Sequence, residues 1–347
     1  MPEITYREAL HQALREEMLR DDAVFLMGED IGRFGGAYKV TAGFYEEFGP
    51  RRVKDTPISE EAIIGAGIGA AMVGLRPVVE IMTINFILVA IDQIINNAAK
   101  ISYMFGGQDC VPLVIRTPQG AGHQLAAQHS QNFDVFFAYV PGLYVVCPAT
   151  PADAKGMLKT AIRGNNPVLF IENLGLYNTV GPVPEGEYLV PLGKARVARD
   201  GRDLTIVAHS RMVRTALEAA DVLAKEGIEA EVIDLRSLRP LDTETLAASV
   251  RKTNRALVVD EGWRLFGASA EVAATIQEAA FDYLDAPVAR VTAAAVPMPY
   301  SKPLETRRFP RSRRSSRQRA PCCPGASTGA ERVIGGGRTD RGVLVVK

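Results

Sequence analysis

Short segments that are apolar throughout recur along this chain and alternate with segments of helical periodicity. In the first half, the apolar segments lie at 23–27, 77–82, 111–116, 143–147 and 167–172. The helical segments between them lie at 60–73, 84–100 and 151–162. Strands that are apolar on both sides are buried on both faces, which is typical of parallel sheets covered by helices. The pattern predicts an α/β fold whose parallel sheet carries helices on both faces.

The alternation is interrupted once and then resumes. Residues 181–191, G-P-V-P-E-G-E-Y-L-V-P, are rich in Pro and Gly and predict a linker. Strand candidates follow at 203–210, 229–235, 255–261 and 288–292, separated by helical candidates at 211–225, 242–251 and 267–280. We therefore expect one domain over residues 1–180 and a second α/β domain over residues 192–306.

Residues 307–347 differ from the rest of the chain in charge and composition. They hold ten Arg and one Lys against two acidic residues, a net charge of +9, so residues 1–306 carry a net charge of −9. An acidic body argues against nucleic-acid binding by the folded part. The segment has no helical or strand periodicity, and we expect it to be disordered. A change of reading frame near Phe309 would explain this composition, and a natural basic extension is the alternative.

Bulk properties indicate an ordinary globular protein. Hydrophobic residues make up 47% and charged residues 23% of the 347 residues. No uninterrupted apolar run is long enough to span a membrane. The N-terminus, M-P-E-I-T-Y-R-E-A-L, lacks the basic start and apolar core of a signal peptide. Because none of the four cysteines has metal-binding spacing, we expect a protein of the reducing cytoplasm.

Three polar or aromatic features follow consecutive strand candidates of the first half. Glu60 follows a short strand candidate at 52–54, Phe86 follows the strand at 77–82, and His129 lies in a loop after the strand at 111–116. Ligands of an open parallel sheet bind beyond the carboxyl ends of its strands. We therefore expect a carboxylate, an aromatic ring and an imidazole to meet at this edge.

Each feature also has a simpler interpretation. Glu60 is an acidic residue at a helix start, where the helix dipole favours negative charge. Phe86 is a candidate core residue, and His129 is a candidate hydrogen-bonded loop residue. The segment G-A-G-I-G at 65–69 only partly resembles a dinucleotide-binding motif, because it lies inside a helix, and it predicts close helix packing instead.

Motifs at fixed spacing leave less ambiguity than these single residues. They are V-K-D-T-P-I-S-E (53–60), G-A-A-M-V-G-L-R-P-V-V-E-I-M-T (69–83), A-A-Q-H-S-Q (126–131), G-E-D-I-G-R-F-G-G-A-Y-K-V-T (28–41) and V-P-G-L-Y-V-V-C-P-A-T-P-A-D-A-K-G (140–156). From about residue 3 to 306 the chain resembles the β subunits of the E1 component of 2-oxo acid dehydrogenase complexes, with the pyruvate dehydrogenases most similar. The resemblance implies a thiamine-diphosphate pyrimidine-binding domain followed by a domain like the C-terminal domain of transketolase.

The resemblance also implies roles for single residues. The aminopyrimidine of thiamine diphosphate must change tautomer before it removes a proton from the thiazolium carbon. A sheltered glutamate can share a proton with the ring nitrogen, and Glu60 matches that residue. Ile58, Met82 and Phe86 would line the pyrimidine pocket. His129 would transfer protons or donate hydrogen bonds during decarboxylation and acyl transfer to lipoamide.

Part of the expected site is missing from the sequence. The chain has no G-D-G segment of the kind that holds Mg²⁺ and the cofactor's pyrophosphate. The resemblance therefore implies an E1 α subunit, in an α₂β₂ heterotetramer, and the dihydrolipoyl acyltransferase E2 as a further partner. It also implies a structural K⁺ bound by main-chain carbonyl groups of Leu113, Ala161, Ile162, Gly164 and Asn166.

Other functions fit parts of these observations. Acetoin dehydrogenase and branched-chain 2-oxo acid dehydrogenase β subunits share nearly all of the motifs. A self-sufficient transferase of the transketolase type is opposed by the missing pyrophosphate motif. A non-catalytic binding protein whose basic tail engages nucleic acid is opposed by the acidic body.

Overall fold

The computed structural model describes residues 1–310. Its strands are, in chain order, β1 (Glu3–Thr5), β2 (Val24–Glu29), β3 (Val53–Thr56), β4 (Arg76–Glu80), β5 (Val114–Gln119), β6 (Tyr144–Val146), β7 (Val168–Asn173), β8 (Val180–Pro182), β9 (Arg196–Arg199), β10 (Leu204–Ala208), β11 (Ala230–Asp234), β12 (Ser237–Arg239), β13 (Ala256–Trp263) and β14 (Ala289–Ala293).

The α-helices are α1 (Tyr6–Arg20), α2 (Phe44–Phe48), α3 (Glu60–Met72), α4 (Ile101–Met104), α5 (Asp134–Ala138), α6 (Pro151–Arg163), α7 (Met212–Ala224), α8 (Thr243–Thr253), α9 (Ala268–Ala280) and α10 (Lys302–Arg308). Tighter 3₁₀ turns lie at Ile87–Ala90, Ala127–His129 and Phe281–Tyr283, and a wider π-helical segment lies at Gln93–Ala98. None of the helices in this described part has the length and apolarity to cross a membrane.

Seven strands form the larger sheet, in the order β12-β6-β7-β5-β4-β2-β3. Neighbours from β6 to β3 are all parallel, so their carboxyl ends meet at one edge. The edge strand β12 is antiparallel to β6, although it comes from the second half of the chain. The predicted parallel sheet is therefore confirmed, with one antiparallel strand added.

Successive residues of β2 enter different cores, as the alternation of side chains along a strand requires. Phe25 and Met27 pack in the core formed with α3, and Val24 and Leu26 pack in the core formed with α1 and α6. Burying one such large side chain contributes about 1.5–3 kcal/mol. Helices therefore cover both faces of the sheet, as the apolar strand pattern predicted.

The glycine-rich helix α3 lies unusually close to this sheet. A Cβ atom on Gly67 would be 3.0 Å from Val79 Cγ1 and 3.1 Å from Leu113 Cδ1. Glycine at this position therefore permits the close packing that the sequence indicated. The close packing holds the first residue of α3, Glu60, at the carboxyl end of β3.

Five strands form the second sheet, in the order β14-β13-β10-β11-β9. Strands β14, β13, β10 and β11 are parallel, and β9 is antiparallel to β11. Ile206 packs against one face with α7, and its neighbour Val207 packs against the other with α8 and α9. The second α/β unit therefore repeats the two-faced packing of the first.

Besides the added strand β12 and the short strand β8 that enters the predicted linker, two predicted segments differ from the structure. The helix predicted at 84–100 is a 3₁₀ turn followed by a π-helical segment, which keeps Ile87, Ala90, Ile94 and Ala98 together in the core. Helix α10 ends at Arg308, two residues inside the predicted tail, whereas residues 311–347 of that tail lie outside the described residues.

Candidate functional site

Glu60 is the first residue of α3, directly beyond the carboxyl end of β3. Its relative exposure is 9%, whereas the neighbouring Glu61 is exposed. Within residues 1–310, no hydrogen bond involves the Glu60 carboxylate. A sheltered polar group without a partner costs free energy unless a ligand or water binds it. Glu60 is therefore available to a hydrogen-bonding ligand at this edge.

A second acidic residue lies close to Glu60. Glu29 ends β2, the strand that pairs with β3. Partial burial raises the pKa of Glu29, and the charges of Asp30 and Glu60 raise that pKa further. The carboxyl ends of β2 and β3 therefore carry a cluster of acidic residues, Glu29, Asp30 and Glu60.

The aromatic and imidazole candidates are in contact with each other. The ring centroids of Phe86 and His129 are 5.3 Å apart, and the ring planes meet at 87°. Phe86 follows β4, and His129 follows β5, the next strand in the sheet. Both side chains are half-buried. Phe86 and His129 are thus in contact, and Glu60 follows β3 at the same carboxyl edge of the sheet. The three residues are here called the carboxyl-edge site (Glu60, Phe86 and His129).

Hydrogen bonds hold the two segments of the ring pair together. Asn85 Oδ1 accepts from the Gln131 backbone N–H at 3.3 Å and from Gln131 Nε2 at 3.1 Å. Asn85 Nδ2 donates to Thr83 Oγ1 at 2.7 Å. The sequence did not single out Asn85 or Gln131, although each lies within two residues of a predicted site residue.

The two apolar candidates differ in their surroundings. Met82 is half-buried beyond β4, whereas Ile58 is 76% exposed beyond β3. An exposed apolar side chain beside a sheltered carboxylate suits a ligand that combines an apolar ring with a hydrogen-bonding atom. Ile58 is thus largely exposed within residues 1–310, and its place in a pyrimidine pocket stays a prediction.

A buried charged network lies beneath this edge. The Arg116 guanidinium bonds Glu172 Oε1 at 2.7 Å and Glu80 Oε2 at 2.8 Å. Glu172 Oε2 accepts from the Tyr177 hydroxyl at 2.6 Å. Burial raises the pKa of Glu80 despite Arg116, because two carboxylates share one guanidinium and Glu172 adds its negative charge. These residues fix the ends of β4, β5 and β7 from inside.

A second buried pair joins the two halves of the chain. His209 Nε2 lies 3.1 Å from Asp134 Oδ2, which also accepts from Gln119 Nε2 at 2.8 Å. Burial opposes protonation of His209, but the hydrogen bond and charge of Asp134 outweigh it and raise the pKa to about 9. The same bonds lower the pKa of Asp134 against the effect of burial. This pair was not predicted, because its partners are remote in sequence.

Some of the carbonyl groups predicted to bind K⁺ already have hydrogen-bond partners. Arg76 Nη1 donates to the carbonyl oxygens of Ile162 at 3.0 Å and Gly164 at 2.8 Å. The Leu113 carbonyl accepts from the Val168 backbone N–H at 2.9 Å. A cation here would lie beside a guanidinium charge, so the carbonyl set fits K⁺ poorly and the site stays a prediction. In residues 1–310, no cluster of three or more His, Cys, Asp or Glu side chains fits a metal ion.

A large apolar cavity is separate from the carboxyl-edge site. Its volume is about 1050 Å³, and it lies between the π-helical segment of the first half and α9 of the second. Its lining includes Ile91, Ile95, Phe136, Leu238, Phe266 and Val272. None of the three residues of the carboxyl-edge site lines this cavity.

Comparison with known proteins agrees with this architecture. The family model "Transketolase, pyrimidine binding domain" matches residues 2–179, and "Transketolase, C-terminal domain" matches residues 193–314. A solved structure described as "Split gene transketolase, inactive beta4 tetramer" has a TM-score of 0.74 at 26% identity, covering 90% of this chain and 96% of that chain. The fold and the site therefore define a protein of the transketolase type.

Proteins of similar sequence identify the family within the transketolase type. The pyruvate dehydrogenase E1 component subunit beta of Rickettsia felis is 51% identical over 308 residues, covering 89% of this chain and 94% of the relative. The mitochondrial pyruvate dehydrogenase E1 component subunit beta of Bos taurus is 51% identical over 313 residues, covering 89% and 87%. This chain belongs to the family of pyruvate dehydrogenase E1 component β subunits, which confirms the resemblance found in the sequence.

Proposed function

We propose that this chain is the β subunit of a pyruvate dehydrogenase E1 component. With an α subunit it would catalyse the thiamine-diphosphate-dependent oxidative decarboxylation of pyruvate and pass the acyl group to lipoamide of the E2 component. The observation that carries the proposal is the sheltered, unpartnered carboxylate of Glu60 on the sheet edge that also holds the Phe86–His129 contact. The relatives' names agree with pyruvate as the substrate.

The residues present fit one half of the cofactor. Glu60 would hold a proton at the ring nitrogen of the pyrimidine, since its carboxylate is sheltered and unpartnered within residues 1–310. Phe86 would pack against the pyrimidine, and Ile58 and Met82 would line its pocket. Bound thiamine diphosphate would supply the thiazolium carbon at which the 2-oxo acid loses carbon dioxide.

We propose that His129 acts on the substrate side of the pyrimidine pocket. Its imidazole is half-buried and contacts the Phe86 ring edge to face. An imidazole can accept and donate protons near neutral pH, which suits transfer of a proton to or from the reacting groups. The Phe86 contact and the Asn85–Gln131 hydrogen bonds would hold its orientation.

The remainder of the assembly is proposed from the family. The α subunit would bind Mg²⁺ and the cofactor's pyrophosphate in an α₂β₂ heterotetramer, and E2 would accept the acyl group. We propose domain limits of 1–180 and 192–306, with 181–191 as the linker. A cytoplasmic location stays a prediction, since the name of the Bos taurus relative specifies mitochondria.

The test is reconstitution with an α subunit of the same family. We expect the pair, but not this chain alone, to bind thiamine diphosphate and to decarboxylate pyruvate faster than acetoin or 2-oxoisovalerate. Faster turnover of acetoin or 2-oxoisovalerate would reassign the substrate. Turnover by the isolated chain would instead indicate a self-sufficient transferase.

A further inference from the structure

The segment that leads to His129 has an unusual backbone conformation. Gly120, Gly122, Gln124 and Ala126 all have positive φ angles, of 99°, 111°, 57° and 62°. For the residues other than glycine this conformation is unfavourable and persists only when the surroundings impose it. The 3₁₀ turn Ala127–His129 follows at once. The position of the His129 imidazole therefore depends on what holds residues 120–126.

A buried carboxylate of the last described helix binds this segment. Glu305, in α10, has no exposed surface. Its Oε1 accepts from the backbone N–H groups of Gly122 at 2.8 Å and Gln124 at 3.1 Å. A carboxylate that accepts two backbone N–H bonds forms strong, charge-assisted hydrogen bonds. The two residues it binds, Gly122 and Gln124, are themselves two of the four positions with positive φ.

Other side chains of the second half bind the same backbone. Lys302 Nζ donates to the Gly122 carbonyl at 2.7 Å. Arg211 Nη1 donates to the Ala121 carbonyl at 2.8 Å, and Glu261 Oε1 accepts from the Ala121 N–H at 3.1 Å. The Arg211 guanidinium lies 4.4 Å from the centre of the Phe309 ring. Three elements of the second half thus bind successive peptide groups before His129.

We propose that Glu305 is a positioning residue for His129. By binding the N–H groups of Gly122 and Gln124, it selects the one conformation of residues 120–126 that places the imidazole against Phe86. Glu305 itself contacts neither His129 nor Phe86. The expected effect of Glu305 on pyruvate turnover rests on the proposed function. Its effect on the conformation of residues 120–126 does not.

The test compares E305A with E305Q and the control R307Q, each assembled with the α subunit. E305Q keeps an oxygen that accepts hydrogen bonds, and Arg307 is an exposed residue of the same helix. Backbone amide hydrogen exchange over residues 120–131 reports on the segment, and kcat and KM for pyruvate report on turnover. We expect E305A to speed exchange at residues 120–126 by about tenfold or more and to lower kcat with little change in KM. E305Q should show exchange rates and a kcat close to those of the wild-type protein, and R307Q should match the wild-type protein in both.

Two results would overturn the proposal: unchanged exchange at residues 120–126 in E305A, or faster exchange there with unchanged kcat. If E305A does not assemble, K302M provides the decision, because the exposed Lys302 contributes one hydrogen bond to the segment. Exchange unchanged in K302M would then count against the proposal. The outcome that separates the two proposals is a wild-type assembly without activity on pyruvate, combined with faster exchange at residues 120–126 in E305A. That outcome would reject the proposed function but keep the role of Glu305 in holding the segment.

Discussion

The Phe86 and His129 rings meet edge to face, with 5.3 Å between their centroids and 87° between their planes. The two residues follow β4 and β5, neighbouring parallel strands whose carboxyl ends coincide. The contact joins an aromatic side chain suited to pack on a cofactor with an imidazole suited to move protons.

The first prediction concerns Glu60. We expect E60Q to lower the rate of pyruvate decarboxylation by the α/β assembly about 10²–10⁴-fold, because the amide cannot exchange a proton with the pyrimidine. The E61Q variant is the matched control, since Glu61 is exposed in the same helical turn. Thermal unfolding should be similar for both variants. Equal rates in E60Q and E61Q would mean that Glu60 only stabilises the start of the helix and takes no part in catalysis.

The second prediction separates the two histidines, His123 and His129, of the loop that follows β5. H129A should lower kcat about 10²-fold or more through loss of proton transfer or hydrogen bonding to the reacting groups. His123 is exposed in the same loop, so H123A should keep nearly full activity. The measurement is steady-state turnover of pyruvate by the α/β assembly. Similar losses in both variants would point to general loop disruption.

The third prediction concerns the pH dependence of stability. Asp134 raises the pKa of His209 to about 9, with Asp260 and Glu261 adding negative charge. An unfolded histidine titrates near 6.5, so its stabilising contribution is complete below about pH 6.5 and is lost as pH rises through 9. We expect H209N to flatten the fall in thermal midpoint between pH 6.5 and 9.5. H123N, at an exposed site, should keep the fall.

The fourth prediction compares a buried with an exposed ion pair. E172Q would remove one of two carboxylates around Arg116, which is 2% exposed, and should lower the free energy of unfolding by about 3 kcal/mol. E47Q would remove the exposed partner of Arg15, and because solvent screens that ion pair it should leave the free energy of unfolding nearly unchanged. Urea unfolding of the chain measures both. Similar small losses would show that Glu80 alone can satisfy Arg116.

Much of the fold could be predicted because burial leaves a local pattern. The apolar run at 167–172 corresponds to β7, Val168–Asn173, in which every residue is buried. The helix predicted at 151–162 corresponds to α6, Pro151–Arg163, which is capped by Thr150, whose Oγ1 accepts from the Asp153 N–H at 3.1 Å. Strand β12 was missed because Ser237–Arg239 is a three-residue edge strand without an apolar run.

Sequence alone determined the α/β alternation, the place of Glu60 at the start of an apolar helix, and the resemblance to the family to which the chain belongs. These follow from the periods of helix and strand and from residue types at fixed spacing, which act within one segment. Only the tertiary structure decided that Phe86 touches His129, that Asp134 pairs with His209, and that Glu305 binds the strained segment before His129. Such contacts join residues remote in the chain, and hydrogen-bond partners are chosen by distance and direction after the strands have packed.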